Sequence, residues 1–166
     1  MIRPRIVLAG SLIASLGAAV VQAQQIGDLG APAAKSKSFI VYAAEQQNVM
    51  AGKRSVLELR FRVVDGFHVN SHTPKSELLI PTQIVLQPAA GVKTETLEYP
   101  AGMSYSFSFD PTEKLDVYSG AFTVRLPVVA DAGPHTLDGT LRYQACDHAA
   151  CYPPRSLPVQ VIFTAK

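Results

Sequence analysis

The two cysteines of the chain, Cys146 and Cys151, are separated by Asp147-His148-Ala149-Ala150. Two thiols at that spacing can form and break one bond between them, provided the backbone holds them face to face. An alternating run at 136–143 leads in and another at 157–163 leads out, so the cysteines flank a four-residue turn between two strands. Directly opposed residues of an antiparallel pair have Cα atoms about 4.5 to 5.5 Å apart, within the span of a disulfide. Closing so short a loop stabilises a fold by only about 2 kcal/mol, against about 4.7 kcal/mol for a loop of 100 residues. A redox pair is therefore the preferred reading, with a structural disulfide and a metal site as the alternatives.

The surroundings bear on access and ionisation, because the thiolate is the reactive form. Asp147 disfavours a thiolate and a protonated His148 favours one, so the sequence gives neither cysteine a net direction. Pro153 and Pro154 remove two backbone donors just after Cys151 and mark a sheet edge, or simply shape a loop. Met103-Ser104-Tyr105-Ser106-Phe107-Ser108-Phe109 places four large apolar side chains on one face if extended. That face is either buried in the core or laid over the sulfurs as a shield, with Phe107 and Phe109 as its tip. Four histidines, His68, His72, His135 and His148, are scattered, and Cys-x4-Cys with one internal His is not a common zinc pattern. No metal and no cofactor is expected, and no nucleophile turn of the Gly-x-Ser-x-Gly kind is present.

These residues need a rigid frame, and the chain supplies strands. Segments 39–43, 55–64, 67–70, 80–86, 92–99, 115–118, 121–129, 136–146 and 157–163 are apolar or alternating, with turns at Asp65-Gly66, 88–91, Ser119-Gly120 and 131–134. Eight or nine short strands with no helical pattern predict an all-β, immunoglobulin-like antiparallel β-sandwich. Ahead of it, Arg3 and Arg5 precede an apolar run that ends in Val21-Gln22-Ala23, the anatomy of a secretory signal peptide cut after Ala23. Residues 24–37 read as a flexible leader and 38–166 as the domain. Removing 1–23 leaves 13 Lys plus Arg against 13 Asp plus Glu, and a neutral surface gives no reason to expect nucleic acid. Export to the periplasm would place both thiols where disulfides persist.

Tyr143-Gln144-Ala145-Cys146 followed by Cys151-Tyr152-Pro153-Pro154 resembles the active-site hairpin of the N-terminal periplasmic domain of the DsbD thiol:disulfide interchange family. Gly66-Phe67-His68-Val69-Asn70 followed by Ile80-Pro81-Thr82 is similar to that family as well, and the likeness covers nearly the whole mature chain. The resemblance implies an immunoglobulin-like domain that takes electrons from a membrane-embedded domain through a thioredoxin-like one and hands them to periplasmic disulfide isomerases. It implies that Cys146 and Cys151 are the redox pair, that Cys151 makes the mixed disulfide, and that Phe107 and Phe109 form the cap. His68, Asn70, Tyr143, Asp147, His148 and Tyr152 would lie near the site. The chain departs from the family in having one residue fewer between the cysteines, no acidic match beside Phe107, and His68 and Asn70 where the family has tyrosines. It ends at Lys166 without a membrane conduit or a thioredoxin-like domain, so the expected form is a stand-alone monomer recharged by a separate protein. The partners expected are periplasmic thioredoxin-like or disulfide isomerase proteins. A binding or assembly module with an inert bond is the alternative.

Overall fold

A computed structural model describes residues 38–107 and 110–166. The segments expected to be signal peptide and leader, 1–23 and 24–37, and Phe109 lie outside the described residues. Twelve strands run through the described chain: β1 Ile40–Ala43, β2 Gln47–Val49, β3 Ser55–Val63, β4 His68–Asn70, β5 Gln83–Leu86, β6 Val92–Thr94, β7 Met103–Phe107, β8 Asp110–Tyr118, β9 Ala121–Ala130, β10 Gly133–Tyr143, β11 Ala145–Cys146 and β12 Arg155–Ala165. They form three four-stranded sheets, ordered β1-β3-β9-β6, β2-β12-β10-β5 and β11-β4-β8-β7. Every pairing is antiparallel except β2 with β12. The fold is the expected all-β, immunoglobulin-like sandwich.

Alternation builds the core. Leu57, Leu59, Phe61 and Val63 of β3 are buried between exposed Glu58, Arg60 and Arg62, and β9 answers with Phe122, Val124, Leu126 and Val128. From the second sheet come Leu137, Leu141, Val159, Val161 and Phe163. At about 1.5 to 3 kcal/mol per buried large aliphatic or aromatic side chain, this core dominates stability.

The long hairpin of β10 and β12 keeps strict register from Gly133↔Ala165 to Tyr143↔Arg155 and delivers both cysteines to the connection that closes it. The sequence places one strand over 136–146, but the chain leaves β10 at Tyr143 and starts β11 in the third sheet, against β4. The strand foreseen at 92–99 is shorter, since β6 ends at Thr94 and only Glu98 continues through a single bridge to Arg125. β2 goes unforeseen; three residues carry no periodicity.

Candidate functional site

The third sheet has two differently used faces. Val69, Ala145 and Tyr118 alternate toward the main core. Cys146, His68, Asn70, Val117, Leu115 and Tyr105 fall on the other face, as antiparallel register requires from Cys146↔His68, Asn70↔Val117 and Tyr105↔Leu115. A small separate apolar cluster forms there from Phe107, Leu115, Val117 and Cys146, with Leu79 and Tyr105 packed against it.

Cys146 and Cys151 are bonded, with Cα atoms 3.9 Å apart, closer than opposed strand residues usually lie. Their environments differ sharply. Cys146 is 0% exposed within the cluster, whereas Cys151 is exposed at the tip. Of the two cysteines that the sequence sets beside a proline-marked edge, only Cys151 is exposed, because β11 is pulled into the third sheet while residues 152–154 leave it.

The turn between them is organised by Asp147. Its Oδ1 accepts from the backbone N–H groups of Ala149 (2.8 Å) and Ala150 (2.9 Å), and its Oδ2 accepts from the Tyr152 hydroxyl at 2.7 Å. The Tyr152 bond first, then the two backbone donors, hold the Asp147 carboxyl down to about 2. His148 is exposed on the turn. The Tyr152 ring is anchored from the far side by Phe39 and Phe67, at centroid distances of 5.0 and 5.9 Å, and Arg155 lies over Phe39 at 4.9 Å.

β4 is launched by a turn closed from Phe67 N–H to the Val64 carbonyl, with Gly66 at φ 84°, a left-handed conformation that favours glycine. Asn70 is wholly buried, and its Nδ2 donates to the Ile80 carbonyl (3.0 Å) and to Gln144 Oε1 (3.1 Å). Gln144 Nε2 donates in turn to the Tyr152 carbonyl at 3.3 Å, tying β4, the loop before β5 and the return from Cys151 into one network. Ser71 Oγ donates to Asp116 Oδ2 at 2.6 Å, fixing that loop to β8.

His68 lies on the same face and is 3% exposed, with its ring 4.0 Å from that of Tyr105 and 6.0 Å from that of Phe107. Burial pushes its imidazole below the usual range, against a smaller upward pull from Asp147.

Phe107, 8% exposed, joins the buried Cys146 in one cluster, with Tyr105 packed against it. The run at 103–107 is a strand, not a free loop: β7 pairs with β8, with a bulge between Tyr105 and Phe107. Met103, at the far end of the same face, is exposed. Tyr143 lies elsewhere than its sequence position beside the cysteines suggests. It is a main-core residue whose hydroxyl accepts from Phe39 N–H at 3.2 Å. Tyr105, Leu79, Leu115, Val117 and Gln144 were not singled out as site residues from the sequence. The alternation of 103–107 and of 115–118 carried the signal for three of them, but nothing local to Leu79 or Gln144 reveals which loop they bridge.

The family model for the N-terminal domain of the thiol:disulfide interchange protein DsbD matches residues 36–161. The chain belongs to the DsbD N-terminal family. Among solved structures, the reduced DsbD N-terminal domain of Neisseria meningitidis aligns at 19% identity and a TM-score of 0.44, over 70% of this chain and 87% of that one. A complex of that organism's DsbD and PilB N-terminal domains aligns at 19% identity and 0.45, over 80% and 87%. The N-terminal periplasmic domain of ScsB from Proteus mirabilis aligns at 11% and 0.49, over 74% of this chain and 44% of that one. At such identities and scores, the assignment rests on the family match. No curated protein matches the chain. The DsbD-type hairpin and its disulfide identify the chain in general terms as a thiol–disulfide exchange module.

Proposed function

We propose that this DsbD-type domain is an exported thiol–disulfide exchange module that passes electrons between a reductant and periplasmic disulfide partners through Cys146 and Cys151. The observation that carries the reading is the asymmetry of the bond, which joins an exposed residue, Cys151, to a wholly buried one, Cys146. An incoming partner thiolate can reach only Cys151 Sγ. Its attack forms a partner–Cys151 bond, breaks the internal one and leaves the electron pair on Cys146. A second partner thiolate then releases Cys151, so two electrons and two protons have entered the domain. Discharge to a partner disulfide runs the same steps backward, with Cys151 attacking and Cys146 resolving.

The cap of Phe107 keeps solvent and unsuitable disulfides from Cys146 between encounters. Asp147 with Tyr152, and Asn70 with Gln144, brace the tip around the disulfide. Thioredoxin-like or disulfide isomerase proteins suit a protruding sulfur as partners, and a separate membrane conduit would supply electrons. The signal peptide at 1–23 and the leader at 24–37 fit delivery of the domain, 38–166, to the periplasm. The competing reading, a binding module with an inert bond, draws on the apolar burial of Cys146.

Trapping separates the two. With Cys146→Ser, Cys151 should accumulate mixed disulfides with periplasmic proteins, and with Cys151→Ser it should accumulate none; equal absence from both would defeat the exchange reading.

A further inference from the structure

His68 stands out because its burial has no structural return. A buried polar atom in a native fold is normally hydrogen-bonded, yet His68 Nε2 has no hydrogen-bond partner among the described residues. Its ring is packed against Tyr105 at 4.0 Å, and its Cα is the register partner of Cys146, so the two side chains are direct cross-strand neighbours on one face. We infer that His68 is the base that removes the proton from the Cys146 thiol when that thiol closes the disulfide, an inference that rests on the exchange reading above.

The step balances as follows. In the mixed disulfide between Cys151 and a partner, Cys146 is a buried thiol. Its proton passes from Sγ to His68 Nε2, the freed electron pair forms the bond to Cys151 Sγ, and the Cys151–partner bond breaks. The partner sulfur leaves as thiolate and takes a proton, and His68 gives its own back to water. The problem this solves is specific to the buried sulfur. An apolar enclosure raises the cost of a thiolate and excludes the hydroxide that would otherwise make one, whereas an adjacent neutral imidazole supplies the acceptor locally and leaves an ion pair rather than a lone anion.

The groups around His68 fit that duty. From β11 comes Cys146 itself, and from the turn after it Asp147; from β7 come Tyr105 and Phe107; from β8 come Leu115 and Val117 of the Cys146 cluster, while the Asp116 carboxylate accepts from Ser71 Oγ. Burial keeps the imidazole in its neutral, accepting form, and the Asp147 carboxylate offsets the charge it gains.

The test mixes reduced protein rapidly with oxidised glutathione, quenches with acid and follows the glutathione adduct by intact mass. In the unmodified protein the adduct is transient, and its decay rate levels off above the titration of His68. His68→Phe should leave adduct formation at its rate, slow adduct decay at least about tenfold, and make decay climb with every pH unit instead of levelling. His68→Gln, which keeps size and polarity but accepts no proton, should behave like His68→Phe, with thermal unfolding confirming that the fold persists. Decay at the unmodified rate in both variants, or rescue by glutamine, overturns the assignment while leaving exchange intact. Failure of the unmodified protein to form any adduct overturns both.

Discussion

Tyr152 holds the hairpin tip from two directions, its ring lodged against Phe39 and Phe67 and its hydroxyl on Asp147. The pH dependence follows from the carboxyl. Asp147 titrates at about 2 in the folded protein against an ordinary 3.8, so the stabilisation it brings is complete above the ordinary value and is lost as pH falls toward about 2. Tyr152→Phe keeps the ring contacts and removes the bond. Urea midpoints measured from about pH 5 to about pH 2 should therefore fall less steeply in the variant; an unchanged slope would mean Asp147 is held by its backbone donors alone. His68 acts higher on the scale. Its folded value lies below the ordinary 6.5, so stability drops as pH falls through that region, and His68→Phe should flatten the drop. At this scale the sulfurs were legible, because spacing and turn chemistry are local. The asymmetry between them was not, since it depends on β11 pairing with β4, more than 70 residues away in sequence.

The elements that matter most are β7 and β8, which carry the proposed cover. Phe107→Ala should destabilise the domain by roughly 3 kcal/mol, as a large buried aromatic does, and should make reduced Cys146 react faster with iodoacetamide. Faster alkylation without a change in Cys151 would locate the effect in the cover. β7 is also set by its entry. A Cβ on Gly102 would lie 2.6 Å from the Asp116 carboxyl, the same group that accepts from Ser71. Gly102→Ala should shift both the cover and the loop after β4, lowering the urea midpoint and loosening Cys146 together; tolerance without either change would show that Asp116 yields freely. The run at 103–107 was visible in the sequence as an apolar face, and Phe107 and Tyr105 of that run pack in a small cluster with Cys146. What the sequence could not show is that the run is a strand paired with β8.

For the whole molecule, the sandwich was the most readable feature, because period-two burial in β3, β9, β10 and β12 is written in long strands with clear turns. The third sheet was the least readable. Its strands β4 and β11 are two or three residues long, and both faces of β4 are covered, so the alternation that betrays the larger sheets has nothing to alternate between. The main core cluster contains neither cysteine, and the bonded pair is only five residues apart in sequence. Reduction should cost about 2 kcal/mol and leave the far-ultraviolet and near-ultraviolet dichroism native. Loss of tertiary signal on reduction would mean that the bond is a staple. The equilibrium potential of the Cys146–Cys151 couple against glutathione buffers tests the central claim most directly. An exchange module should poise near about −200 mV, and a value below about −300 mV would contradict it, identifying an inert structural bond.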